Sequence, residues 1–401
     1  MTSMFNNVTA EFSQAVTTDV PMTSIFNNVS AAFSQTQGGN LTDTVNGCRV
    51  VDRQLKFLPW NNPDNVISAE NSLLGTKSVS VFITLVCTLG APLNIVNCIV
   101  FAKLGLRDRI NFLLFSLACA DFVSCVYYFL HSIEYTYTLF LGDLRSYGPL
   151  GMALTNSGAN SMHGAAYVSR SISTLIACER CLCITHPFVA RRLFRTRTTA
   201  AVVVLATVAL MAGSSFTSSK FKIGCEYIPS LGRSVVFYYP SEFYRENSGF
   251  VDALGSVVFG LFLPFFFVVV TAITALVTIV KLLEARRWRQ STSVTMGTGE
   301  VALTTMLVAL SCLFVACSLP NVIHRSAQLV DPDFKLGGRK QNLHVLGIGI
   351  VYVFSAINSS VNFFFYWKLG SRFRETLQSM HVKRSHENSA EQLPSVSVAT
   401  K

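Results

Sequence analysis

Apolar and polar residues alternate along this chain on a long scale, as seven apolar stretches separated by polar and charged connections. The stretches run over 78–103, 111–133, 150–184, 198–217, 251–282, 301–325 and 343–367. Each is near or above the roughly 20 residues that a helix needs to cross the hydrocarbon core of a bilayer. The pattern predicts an all-α membrane protein, a bundle of seven crossing helices. The third stretch sets the arrangement. Between Leu150 and Arg192 it reads LGMALTNSGANSMHGAAYVSRSISTLIACERCLCITHPFVARR, too polar to face lipid all round and too apolar for water. Such a helix belongs at the centre of a bundle, with its polar face toward its neighbours.

The flanks differ from the spans. Residues 1–77 are polar and lack the apolar core of a cleavable signal, so they are expected to form a disordered tail. Within this tail TSMFNNVTAEFSQ (2–14) recurs as TSIFNNVSAAFSQ (23–35), two copies being too few for a repeat architecture. Sequons at Asn7, Asn28 and Asn40 predict a glycosylated tail outside the cell. The connection 218–250 is long and aromatic, and loops above about 15 residues are often functional. A lid over a ligand pocket is the expectation there. Residues 78–367 form the spanning domain. Residues 368–401 begin with GSRFRETLQSM, whose spacing suits a short helix on the inner membrane surface, and end in a Ser-rich tail.

Charge fixes a predicted orientation. Only 13% of the 401 residues are charged, about half the usual fraction of a soluble domain. The net charge of +10 lies beside the apolar stretches rather than along one soluble face, which argues against nucleic acid as a partner. The expected cytoplasmic pieces hold about 18 Lys/Arg against about 7 acids, the outer pieces about 12 against about 13. Sequons and basic residues agree on a plasma-membrane protein with an outer amino terminus and a cytoplasmic carboxyl terminus. Of 11 cysteines, only Cys48 and Cys225 fall in outer segments; the others lie within or at the ends of spans, where cysteine is small apolar filler. No cysteine spacing suits a zinc site.

One motif per span follows in order. Asn94 stands in LNIVNCIVF and Asp121 in NFLLFSLACADF. Glu179-Arg180-Cys181 ends the third span, with Pro187 seven residues past the arginine. Pro264 lies in the fifth, Phe314 and Cys317-Ser318-Leu319-Pro320 in the sixth, and NSSVNFFFY from Asn358 to Tyr366 in the seventh. This series resembles the rhodopsin-like class of G protein–coupled receptors over roughly residues 78–380. KLGLRDRINFLLFSLACADF also resembles chemosensory receptors of gastropod molluscs, a texture shared by some invertebrate peptide receptors. The resemblance is imperfect. Ser318 stands where the family has Trp, Phe363 where it has Pro, Ala272 where it has Tyr and Thr155 where it has Cys. The fourth span lacks the family's Trp. The family disulfide therefore cannot form, and Cys225 either pairs with Cys48 or both stay free.

The resemblance implies roles. Glu179, Arg180, Pro187, Asn362 and Tyr366 would form the switch toward a heterotrimeric G protein, with Arg180 paired to Glu179 at rest. The bland alternative is a helix-end arginine reaching the interface. Pro264, Phe314, Ser318 and Pro320 would form the activation hinge. Asp121, a carboxylate in mid-membrane, needs partners; Asn94, Ser169, Asn358, Ser359 and Asn362 would supply them, around a sodium ion or water. Arg170 follows Ser169 at a similar depth, Asp121 is its nearest plausible counter-charge, and it is expected to take the ion's place. Met162, His163, Ala166, Asn321, His324, Arg325 and Tyr352 fall at the level where the family binds ligands, His324 and Arg325 being suited to an acidic group.

Chemistry narrows the ligand. No Asp or Glu occurs between Leu150 and Cys178, which removes the family's usual partner for amines. No Lys occurs from Leu343 to Trp367, which excludes a retinal Schiff base. Small organic molecules and peptides remain as extracellular ligands, for a chemosensory or a neuropeptide receptor. A channel or transporter is a more distant reading, since no matching halves are visible. His163 stands without any catalytic motif, so an enzyme is not expected.

Overall fold

The computed structural model describes residues 44–45, 48–50, 64–140, 164–229, 233–292, 298–335 and 338–380. Long helices dominate. Helix α1 is Ala69–Leu104, α2 Arg109–Phe140, α3 Gly164–Thr185, α4 the short Pro187–Leu193 and α5 Thr196–Ser218. Helix α6, Glu242–Asp252, runs into a π-helical stretch, Ala253–Phe262, and then into α7, Leu263–Thr292. Helix α8 is Thr298–Val330, α9 Gln341–Ser360, α10 Asn362–Leu369 and α11 371–380.

Local chemistry sets the ends. The Ser68 hydroxyl caps α1 by accepting from the Asn71 N–H, and α1 stops at Gly105, whose φ of 97° suits only a residue without a side chain. The Ser241 hydroxyl caps α6 by accepting from the Tyr244 N–H. Pro264 explains the π-helical stretch before α7. Its ring has no N–H and would clash with the carbonyl four residues back, and the wider turn relieves both. There the Leu263 N–H reaches back five residues to Val258 O.

Six helical segments are long and apolar enough to cross a membrane: Ala69–Leu104, Arg109–Ile133, Thr196–Ser218, Glu242–Ala285, Val301–Val330 and Gln341–Leu369. The seventh, α3, is long enough at 22 residues, roughly 33 Å, but is the polar one. It packs against α2, α5, α7 and α8, and half of it is buried. By contrast α5 buries only Thr199, Val203 and Ser214 of its 23 residues and turns Val204, Leu205 and Val208 outward. Apolar surface thus faces lipid, while Asn94, Asn97, Asp121, Ser124, Ser169 and Glu179 are buried within. The protein is an all-α, seven-helix membrane bundle.

The helices extend beyond the expected spans. Helix α1 begins at Ala69 rather than 78, inside the stretch expected to be a disordered tail, and α2 begins at Arg109 rather than 111. The connection 218–250 is structured. It holds strands β3, Phe221–Ile228, and β4, Arg233–Pro240, followed by α6. The run of β-branched and aromatic residues in RSVVFYYP suits a strand. Lys220 pairs with Asp252, which also accepts from the Tyr244 hydroxyl, so the base of this region is tied to α6. Helices α1 and α9 come close at Gly90, where a Cβ would lie 2.0 Å from Ser360 Oγ.

Strands β1, Thr44–Val45, and β2, Cys48–Val50, form a second compact unit with residues 225–234. β1 is antiparallel to β2, and β2 runs parallel to β3 in the register Arg49↔Glu226 and Val50↔Tyr227. Cys48 is disulfide-bonded, while Cys87, Cys125 and the other described span cysteines are free thiols. The side chain of Cys225 and the residues Asn7, Asn28 and Asn40 lie outside the described residues.

Candidate functional site

Three polar layers follow one another along α3. The first lies at its end. Glu179 is fully buried, and Arg180 Nε approaches Glu179 Oε2 to 2.6 Å while its Nη2 donates to Oε1 at 3.3 Å. The pairing of adjacent residues expected from sequence is present. A second guanidinium was not foreseen: Arg109 Nε lies 2.8 Å from Glu179 Oε1. Arg109 also donates to Cys183 Sγ and to the Phe194 carbonyl, so it ties α2 to the far end of α4. The signal was its place between Asp108 and the second span, but the expected span began two residues later and left it in a loop. Pro187 is the first residue of α4, where its fixed φ and missing N–H cost nothing. Tyr366 is buried edge-on against Phe101, 5.0 Å between ring centroids, and its hydroxyl has no hydrogen-bond partner among the described residues.

The second layer surrounds Asp121, which has no exposed surface. It accepts from Ser169 Oγ at 2.6 Å and from Asn362 Nδ2 at 2.7 Å, and Ser359 faces the same carboxylate. Asn94 donates to the Gly90 and Ser359 carbonyls, linking α1 to α9. Asn358 lines a small neighbouring void with Asn362, Ser311 and Phe314. The helix is interrupted at Val361 although Phe363 stands where a proline was expected.

Arg170 corrects an expectation. It does not pair with Asp121. Its Nη2 donates to Ser355 Oγ at 3.1 Å, and its guanidinium lies 5.4 Å from the Tyr167 ring centroid. The reason is helical geometry. Successive residues point about 100° apart, so with Ser169 aimed at Asp121 its neighbour must face elsewhere.

The third layer is a cavity of about 160 Å³ among α2, α3, α8 and α9. Asn321, His324, Arg325 and Tyr352, four of the residues expected at the ligand level, line it. Ala166 does not; it packs with Cys125, Tyr128 and Ala356, its small side chain letting α2 and α9 approach α3. Met162 and His163 lie outside the described residues. Arg170, Tyr167, His344 and Ser355 are lining residues that sequence reasoning missed for this role. The His324 and His344 rings stack at 5.0 Å, and His324 Nε2 lies 3.3 Å from the His344 carbonyl.

Tyr167 joins this cavity to the expected hinge. Its hydroxyl donates at 3.0 Å to the Phe259 carbonyl, in the π-helical stretch just before Pro264. Phe314 packs in the same cluster with Phe259 and Phe267. Ser318 is buried one turn on, and Pro320 lies within α8. Among the described residues no cluster of side chains suits a metal.

Comparison with known proteins agrees with this arrangement. The model of the serpentine type 7TM GPCR chemoreceptor family Srw matches residues 81–384, from α1 to just past α11. No curated protein matches the chain. Srw is a family of receptors, not of enzymes. The match covers the helical bundle from within α1 onward and most of the chain, and on that ground the protein belongs to the Srw family of serpentine seven-transmembrane GPCR chemoreceptors.

Proposed function

We propose that this chemoreceptor binds a small extracellular molecule in the cavity between α3, α8 and α9, and passes the signal to a heterotrimeric G protein at the Glu179–Arg180 end. The observation that carries the reading is the chain of contacts that leads from the cavity to the middle of α8. Arg170 lies over Tyr167, Tyr167 holds the π-helical turn through Phe259, and Phe259 packs with Phe314 on α8. A ligand that shifts Tyr167 would loosen the wide turn before Pro264 and let α8 bend at Pro320. Arg180 would then leave Glu179, which keeps Arg109 as its partner. The order of motifs supports placing the protein near the rhodopsin-like receptors, and the stretch around Asp108 near mollusc chemosensory receptors.

Sequons and basic residues support a glycosylated outer amino terminus in the plasma membrane, with α11 on the inner lipid surface. Register supports a Cys48–Cys225 bond, because Arg49 opposite Glu226 in parallel strands places 48 opposite 225. The oxygen-rich set of Asp121, Ser169 and Ser359 suits a sodium ion, a hard cation, which would neutralise the carboxylate that Arg170 does not reach. The cavity volume favours a small molecule over a peptide as the group held there, since typical ligand pockets run to about 300–1,000 Å³.

The test is Arg180→Ala in cells carrying a G protein reporter. Ligand-driven turnover should vanish while surface expression persists. Persisting turnover would sink the switch, and ligand-gated current in the variant would favour a channel.

A further inference from the structure

The cavity is unusual in its charge. Arg170 on α3 and Arg325 on α8 both line it, and no Asp or Glu does. Among the described residues neither guanidinium has an acidic partner within ion-pair distance. Arg170 is held by the Ser355 hydroxyl at 3.1 Å, and Arg325 by the Gln328 side-chain oxygen at 3.0 Å, both uncharged. Among the described residues the buried Arg325 Nε has no hydrogen-bond partner, and neither has Nδ1 of His344, a residue only 4% exposed. Two half-buried cations in a membrane bundle without a described counter-charge are costly, and such groups in membrane helices mark ligand or ion pathways.

The two cations enter the cavity from different helices. Arg170 of α3 is anchored on Ser355 of α9, while Arg325 of α8 is held by Gln328 of its own helix. Ile348, Val351 and Tyr352 of α9 line the cavity beside them. Two anion-binding ends joined by an apolar wall fit one class of molecule.

We propose that the ligand is a short dicarboxylic acid, one carboxylate on Arg170 and the other on Arg325, with its carbon chain against Ile348 and Val351. This rests on the reading of the cavity as the ligand site. Guanidinium groups suit carboxylates because their paired N–H donors match the two oxygens. A single-ended acid would leave one guanidinium unmet, and a diamine would add charge to a site already positive.

The experiment uses the full-length receptor in lipid nanodiscs and follows thermal unfolding with succinate, glutarate, adipate and pimelate. Butyrate and the diamides of the same acids serve as controls. At about ten times its Kd, the best-fitting diacid should raise the melting temperature by about 3–6 °C. Arg170→Gln and Arg325→Gln should each weaken that diacid at least tenfold, and Arg170→Lys should weaken it less than Arg170→Gln. Equal stabilisation by the diamides, binding unchanged in both Gln variants, or no shift with any diacid would overturn the proposal. G protein turnover is measured on the same samples. A diacid that stabilises the receptor through both arginines yet never alters turnover would leave the ligand class standing and defeat the signalling reading. Basal turnover lost in Arg180→Ala, with no diacid binding, would do the reverse.

Discussion

At one end of the helical bundle the guanidinium groups of Arg109 and Arg180 converge on the buried carboxylate of Glu179; toward the other, those of Arg170 and Arg325 line a cavity with no described acid. Both places hold two half-buried arginines. The first supplies its own counter-charge, so it is complete without a partner and holds α2, α3 and α4 together. The second is completed only by neutral oxygens, so an anion from outside gains there what Glu179 provides internally. Charge closure, rather than the mere presence of arginine, separates a latch from a receptor site.

The contrast predicts opposite signs for similar mutations. The largest effect should come from Glu179→Ala, which strands two guanidiniums. A cost of about 3–5 kcal/mol is expected for a broken buried pair, read as a fall in melting temperature in nanodiscs. Should the variant melt like wild type, the latch is not holding the helices. Arg109→Ala should cost less, about 1–3 kcal/mol, because Glu179 keeps Arg180. A double-mutant cycle with Glu179→Gln should return a coupling above about 0.5 kcal/mol, and additive effects would show that the 2.8 Å contact carries no energy.

At the cavity the sign reverses. Arg325→Gln removes a charge that has no acidic partner, so the ligand-free receptor should be unchanged or slightly more stable. A clear loss of stability would mean that a carboxylate outside the described residues already neutralises Arg325. Smallest of all should be Lys340→Ala, outside the spans, where Lys340 pairs with the partly exposed Asp331 across the α8–α9 connection. Lys340 holds the Asp331 carboxyl below its ordinary range. A depressed folded pKa means that this stabilisation is present above the unfolded value, about 3.9, and is lost as pH falls through the folded one. Melting curves of wild type and variant should converge on acidification and at high salt.

What the sequence disclosed followed from local rules. Seven apolar stretches, the polar third one and the trio Asp121, Ser169 and Asn362 were all readable, because span length and motif order are written in one dimension. Arg170 shows a rule applied too loosely: adjacency to Ser169 suggested a shared target, whereas the 100° step between neighbours forbids it. Arg109 was hidden by a boundary drawn two residues late, and only the meeting of α2 with α3 reveals its partner. Strands β3 and β4 were hidden for another reason. Their pairing is between residues distant in sequence, and β propensity in a loop depends on context. The cavity was half legible: residues on α8 and Tyr352 were placed, but Tyr167 and His344 needed three dimensions.

The close approach of α1 and α9 at Gly90 carries a mechanical corollary. With Ser360 seated where a side chain would stand, and the Asn94 amide bolted to the neighbouring backbone, these two helices have no room to slide past one another. They would form the fixed side of the bundle. On the proposed reading, the rearrangement that follows ligand binding is expected among the helices on the opposite flank, where a wide turn and two prolines leave slack.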